Sequence, residues 1–232
     1  MREIALDTET TGLEALGGDR VVEIGCVELI NHVATSNGFH VYLDPGRPMS
    51  PEASAITGIT DDMLRGKPKF EAVADDFLRF VDGAPLVIHN ASFDMGFLNM
   101  ELGRAKRPPL PLDKVVDTLK IARKRFPGSQ ANLDALCRRF NIDNSAREKH
   151  GALLDAELLA EVYLELRGGR QPGFALAARG AVEGDDPAAQ QRVEAWRPRR
   201  SRISEGERAA HRALIAEMGD AAIWIKAPGW TD

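Results

Sequence analysis

The chain has 232 residues, 44% of them hydrophobic and 28% charged, with a net charge of −5. That length allows one ordinary domain plus an appendage, and no apolar run reaches the roughly 18 residues of a membrane span. The acidity argues against a tight nucleic-acid binder acting alone, because such affinity comes largely from neutralising phosphates.

The opening MREIALDTET lacks the layout of a signal peptide, since acids arrive where an apolar stretch should stand. Cys26 and Cys137 both fall within apolar patterns and read as buried free thiols, which fits a reducing cytoplasm. Ile4 to Leu6 reads as a buried central strand ending in the acidic motif, and Arg20 to Ile30, rich in Val and Ile, as a second strand. Phe39 to Leu43, followed by Asp44-Pro45-Gly46, gives a third strand and a turn. Short connections make these three an antiparallel meander.

Helical spacing then takes over. Phe70, Val73, Ala74, Phe77, Leu78 and Val81 share a face, and Gly83 closes that segment. Pro85 to His89 reads as a fourth strand, Phe93 to Ala105 as a helix and Lys114 to Val116 as a fifth strand. Leu133, Leu136, Cys137 and Phe140 mark another helical face, and Ala152 to Leu166 is a strong final helix. Three strands followed by alternating helices and strands predict a mixed five-stranded α/β sheet of ribonuclease-H-like type, flanked by helices. The composition changes at Arg167-Gly168-Gly169, so the domain is placed at 1–167 and a flexible linker at 168–203. From Ser204 order is expected again: Ser204 and Glu207 have capping-box spacing, Ala210, Leu214 and Met218 form one stripe, and Trp224 and Trp230 follow. A stripe and two tryptophans on so short a segment suggest docking of 204–232 onto another protein.

Three short segments carry the chemistry: Asp7 and Glu9 in LDTETTG, Asp94 in HNASFD, and Asp155 in HGALLDA with His150 before it. On a strand, Asp7 and Glu9 share a face. Burying two like charges there is costly without cations. Asp94 is expected in the first turn of its helix, where the dipole also favours a carboxylate, and His89 is expected to be structural. His150 belongs on a loop, because five helical residues rotate direction by about 140° and would turn it away from Asp155. Four carboxylates suit two hard divalent ions, Mg²⁺ or Mn²⁺, roughly 4 Å apart. A neutral imidazole can take the proton of attacking water.

In their order and flanking residues, these motifs resemble the proofreading exonuclease superfamily that uses three Asp, one Glu and a catalytic His. The resemblance covers residues 1–167. It implies Asp7, Glu9, Asp94 and Asp155 as metal ligands, His150 as general base, and stepwise 3′-to-5′ removal of nucleoside monophosphates from a frayed DNA end. It places Phe93 beside the terminal nucleotide, and Thr8 and Thr10 with their amides toward it. Family members often carry His-Gly where this chain has Thr57-Gly58, so Thr57 keeps a hydroxyl but loses the ring. Within the superfamily the chain is similar to the proofreading, epsilon-type subunits of bacterial replicative polymerases. On that likeness, Gln171, Phe174 and Leu176 would anchor a sliding clamp, and Leu214, Met218 and Trp224 would face the polymerase's catalytic alpha subunit. Three other readings stay open: a relative acting on RNA ends, a scaffold without catalysis, and an aspartyl-phosphate phosphatase. The last leaves Asp155 and His150 without a role.

Overall fold

The acidic motif lies on the middle strand of the sheet. A computed structural model describes residues 1–145, 147, 149–169 and 204–219. The sheet has five strands in the order β3-β2-β1-β4-β5. They are β1 (Arg2–Thr10), β2 (Val21–Ile30), β3 (Val33–Tyr42), β4 (Leu86–Ile88) and β5 (Val115–Asp117). β1 runs antiparallel to β2, and β2 to β3, while β4 joins β1 and β5 in parallel. This is the expected mixed sheet.

The first strand runs on past Leu6 to Thr10, and Asp7 and Glu9 lie within its ladder on one face, as their spacing required. The third begins at Val33, not Phe39, directly after a two-residue turn in which Asn31 and His32 have φ of 52° and 68°. Two positive φ values make the tight hairpin turn whose twist matches the strands. The early half of β3 is largely exposed, so no apolar alternation announces it.

Helices cover both faces. Pro51–Thr57 (α1), Asp61–Leu64 (α2), Phe70–Val81 (α3) and Ser92–Arg104 (α4) precede β5; Thr118–Arg125 (α5), Leu133–Phe140 (α6) and Ala152–Leu166 (α7) follow it. Alternation along β1 divides the core. Ile4 and Leu6 join the cluster holding Phe70 and Phe77 of α3 and Phe97 and Leu98 of α4. Ala5 joins the one holding Leu136 of α6 and Leu159 and Tyr163 of α7. Cys26 and Cys137 are buried free thiols, as expected.

Further along the chain, Glu205–Met218 forms another helix, α8. Its capping box is present: the Ser204 side chain accepts from Glu207 N, and Glu207 reaches back to Ser204 N at 2.7 Å. Leu214 and Met218 are exposed, 52% and 38%. Gln171, Phe174, Leu176 and Trp224 lie outside the described residues.

Candidate active site

Each acidic segment reaches one cavity by a different local device. Because Asp7 and Glu9 alternate with Thr8 on β1, both carboxylates point toward the α7 face. Asp94 arrives from the other layer. Asn90 takes φ 66° just after β4, bending the chain into α4, whose first turn carries Asp94. Its Oδ1 accepts from Thr8 N (3.1 Å) and Thr8 Oγ1 (2.8 Å). Asp155 sits in the first turn of α7. That helix end is seated on β2, where Ala152 N donates to the buried Glu23 (3.1 Å) and Gly25 has no side chain to hold it off. His150 lies on the preceding loop, its N–H donating to Ile56 O of α1.

All five expected residues line a single cavity of about 420 Å³, together with Thr8, His89, Asn90 and Phe93. One ligand atom each from Glu9, His150 and Asp155 lies within 4.8 Å of the others. Among the described residues nothing donates a hydrogen bond to the Asp7 or Glu9 carboxylate. Burial, then the neighbouring Asp94, Glu9 and Asp155 charges, push the Asp7 carboxyl well above its ordinary range. Burial and Asp155 carry Glu9 to about 8. Burial, with a smaller push from the Asp117 charge, outweighs the Thr8 hydrogen bonds and carries Asp94 to about 7. The Asp7 and Glu9 carboxylates, which repel one another and accept from no protein donor, are the pair a hard divalent cation satisfies, with Asp94 fixed beside them by Thr8. The residues present fit the expected ions.

Sequence reasoning missed Arg147. Its guanidinium, 7% exposed, grips both Asp155 oxygens, with Nη2 at 2.6 Å from Oδ2, and reaches Asp134 through Nη1 (2.8 Å). Burial would raise the Asp155 carboxyl, but Arg147 and His150 hold it below its usual range. The same Nη2 lies 2.8 Å from His150 Nδ1, and Asp155 Oδ2 is 3.5 Å from that atom. Hydrogen bonding to Asp155 raises the His150 pKa. An arginine donating to Nδ1 puts the neutral ring's proton on Nε2. No local signal marks Arg147, since a loop arginine usually reads as solvent-facing.

Other expected residues have different duties. Both Thr8 donors are spent on Asp94, so Thr8 positions that carboxylate instead of offering its amide to a nucleotide. Thr10 donates through its hydroxyl to Gly12 O. Thr57 is 9% exposed, and its hydroxyl donates to Ala53 O and accepts from Ile59 N. It locks the end of α1 and does not line the cavity. His89 bonds Thr118 through Nδ1, and burial lowers its pKa. The structural role expected for it holds, although one edge faces the cavity.

Fold and site together define a nuclease of the ribonuclease-H-like exonuclease class. The RNase T exonuclease family model matches residues 4–163. The DNA polymerase III subunit epsilon of Rickettsia conorii is 54% identical over 185 aligned residues, covering 78% of this chain and 80% of its own. That of Salmonella typhimurium is 48% identical over 236 aligned positions, covering 96% and 97%. A solved structure of exonuclease X in complex with 5′ overhanging duplex DNA superimposes with a TM-score of 0.55 at 30% identity, covering 71% of this chain and 89% of that one. The chain belongs to the exonuclease family, and within it to the DNA polymerase III epsilon subunits.

Proposed function

We propose that this chain is the proofreading subunit of a bacterial replicative polymerase, removing mispaired nucleotides from the primer's 3′ end by phosphodiester hydrolysis. The observation that carries this reading is the convergence of Asp7, Glu9, Asp94, Asp155 and His150 in one cavity. The relatives' name supports the same reading.

Asp7, Glu9, Asp94 and Asp155 would hold two Mg²⁺ or Mn²⁺ ions. Such a pair, when bound, supplies positive charge for water activation and for the leaving oxygen. The chain's own groups do the rest. His150 Nε2 accepts the proton of the attacking water. Nδ1 must then carry a proton directed at Asp155, so the Arg147 contact to Nδ1 gives way in the reactive arrangement. Thr8 fixes Asp94. Phe93, packed 4.9 Å from Phe97 between ring centroids, gives the terminal base a rigid apolar wall. A mismatched end frays at lower cost than a paired one, so selectivity needs no base-specific contact.

Residues 204–232 are assigned to the DNA polymerase III alpha subunit and 171–176 to the sliding clamp, which places the protein in the cytoplasmic replisome. The exposed Leu214 and Met218 of α8 favour the first assignment. The test is degradation of 3′-mismatched DNA with and without Mg²⁺, alone and beside the alpha subunit. Asp7→Ala and Asp155→Ala should abolish metal-dependent release while remaining folded; activity retained in either would overturn the ligand assignment.

A further inference from the structure

Outside the cavity, the strongest unexplained feature is a concentration of cations on an acidic protein. α5 ends in Arg123, Lys124 and Arg125, and α6 in Arg138 and Arg139. One cation near each helix C-terminus is favoured by the dipole. Five within two adjacent helix ends add mutual repulsion, which the dipole does not explain. Arg125 has a structural task, donating to Glu165 O and Leu166 O at the end of α7. Arg139 stacks on Phe126 at 4.3 Å. Among the described residues Arg123, Lys124, Arg138 and Arg139 have no carboxylate partner, although the chain as a whole carries a net charge of −5.

Their position relates them to the cavity. Asn132, Leu133 and Asp134 at the start of α6 line the catalytic cavity. Ala135, Arg138 and Arg139, further along the same helix, line a second surface depression with Ser129 and Gln130. At 1.5 Å per residue, Asn132 to Arg139 spans about 10 Å. Arg139 stacks on Phe126, three residues beyond Arg123, which brings the cations at the end of α5 beside those of α6.

We propose that Arg123, Arg138 and Arg139 form the track on which the phosphates of the substrate strand lie, upstream of the scissile bond. The inference rests on the exonuclease reading and names the surface that holds the strand while its end is cut. Single strands are held largely by such contacts, without base-specific readout. They make affinity fall with salt by about 0.7 in log–log slope per neutralised phosphate.

The test uses the full chain with Mg²⁺ and two substrates: a single-stranded DNA 12-mer, and the p-nitrophenyl ester of thymidine monophosphate, which has no upstream phosphate. The variants are Arg138→Gln, Arg123→Gln and the triple change with Arg139→Gln. The triple variant should raise KM for the 12-mer about tenfold or more and reduce the salt slope by about 2. Its kcat/KM on the mononucleotide ester should stay within twofold of wild type, and each single change should act in proportion. A wild-type KM and salt slope on the 12-mer would overturn the track. So would equal losses on both substrates in Arg138→Gln. A wild-type protein that cleaves neither substrate would instead sink the exonuclease reading.

Discussion

A methyl group at Gly25 tests how α7 is held against the sheet. Gly25 pairs with Asp7 across β1 and β2. A Cβ there would lie 2.2 Å from the Ala152 carbonyl carbon and 2.3 Å from both its oxygen and Leu153 N. Carbon contacts settle near 3.5 Å, so the first turn of α7 must recede by about 1 Å. Asp155 rides on that turn and moves away from Asp7 and Glu9, which stay fixed in the ladder. Overpacking of this kind costs about 1–3 kcal/mol, equivalent to roughly 2–4 °C in Tm per kcal/mol for a domain of this size. The larger effect should be kinetic, since a shift of about 1 Å in reacting groups costs on the order of 10²-fold. Gly25→Ala should therefore remain folded by circular dichroism while kcat on a 3′-mismatched oligonucleotide falls about 100-fold. Gly96→Ala is the control, because a Cβ there meets nothing within 4 Å. Unchanged turnover in Gly25→Ala would refute the claim that the seat of α7 on β2 sets the spacing of the carboxylates.

His150→Ala should lower kcat about 10²–10⁴-fold with little change in KM; a loss below tenfold removes His150 as the base. Arg147→Met leaves the buried Asp155 without its partner and should cost about 3 kcal/mol in chelator. Saturating Mg²⁺ should restore most of that loss in a urea titration, and a deficit unaffected by Mg²⁺ would contradict the charge argument. Glu9 titrates at about 8 and Asp94 at about 7, both above the unfolded values near 4. The folded protein thus holds extra protons between about pH 4 and 8, and in chelator its stability should fall as pH rises through that window. The urea midpoint should be higher at pH 5.5 than at pH 8.5, with the difference flattened by Mg²⁺; equal midpoints in chelator would mean that the acids are not crowded.

Where burial is periodic, the sequence was legible. Val21–Ile30, Phe70–Val81 and Ala152–Leu166 stand within a residue of where their apolar spacing puts them. The exposed half of β3 has no such spacing. α1 was missed although Ser50 caps it and Pro51 occupies its first turn, a start signal that composition alone carries. Asp117 gives the same signal for α5 by accepting from Leu119 N and Lys120 N. The five principal site residues were readable because each sits in a distinctive short motif. Arg147 was not, since its inward turn depends on Asp134 and Asp155 arriving from two other elements. Thr57 misled for the opposite reason: a side chain that aligns with a ligand-contacting position spends its hydroxyl on its own helix end.

The division of the core has a mechanical consequence. Asp94 belongs to the layer built on Phe97 and Leu98, and Asp155 to the layer built on Leu159 and Tyr163. β1, with Asp7 and Glu9, runs between the two, and β2 and β4 likewise face both. Divalent ions held among these four groups would work as a clasp across the middle strand, stapling two slabs that otherwise share little more than the sheet between them. Loading the site should then slow hydrogen exchange at amides far from any ligand, in α4 and α7 alike.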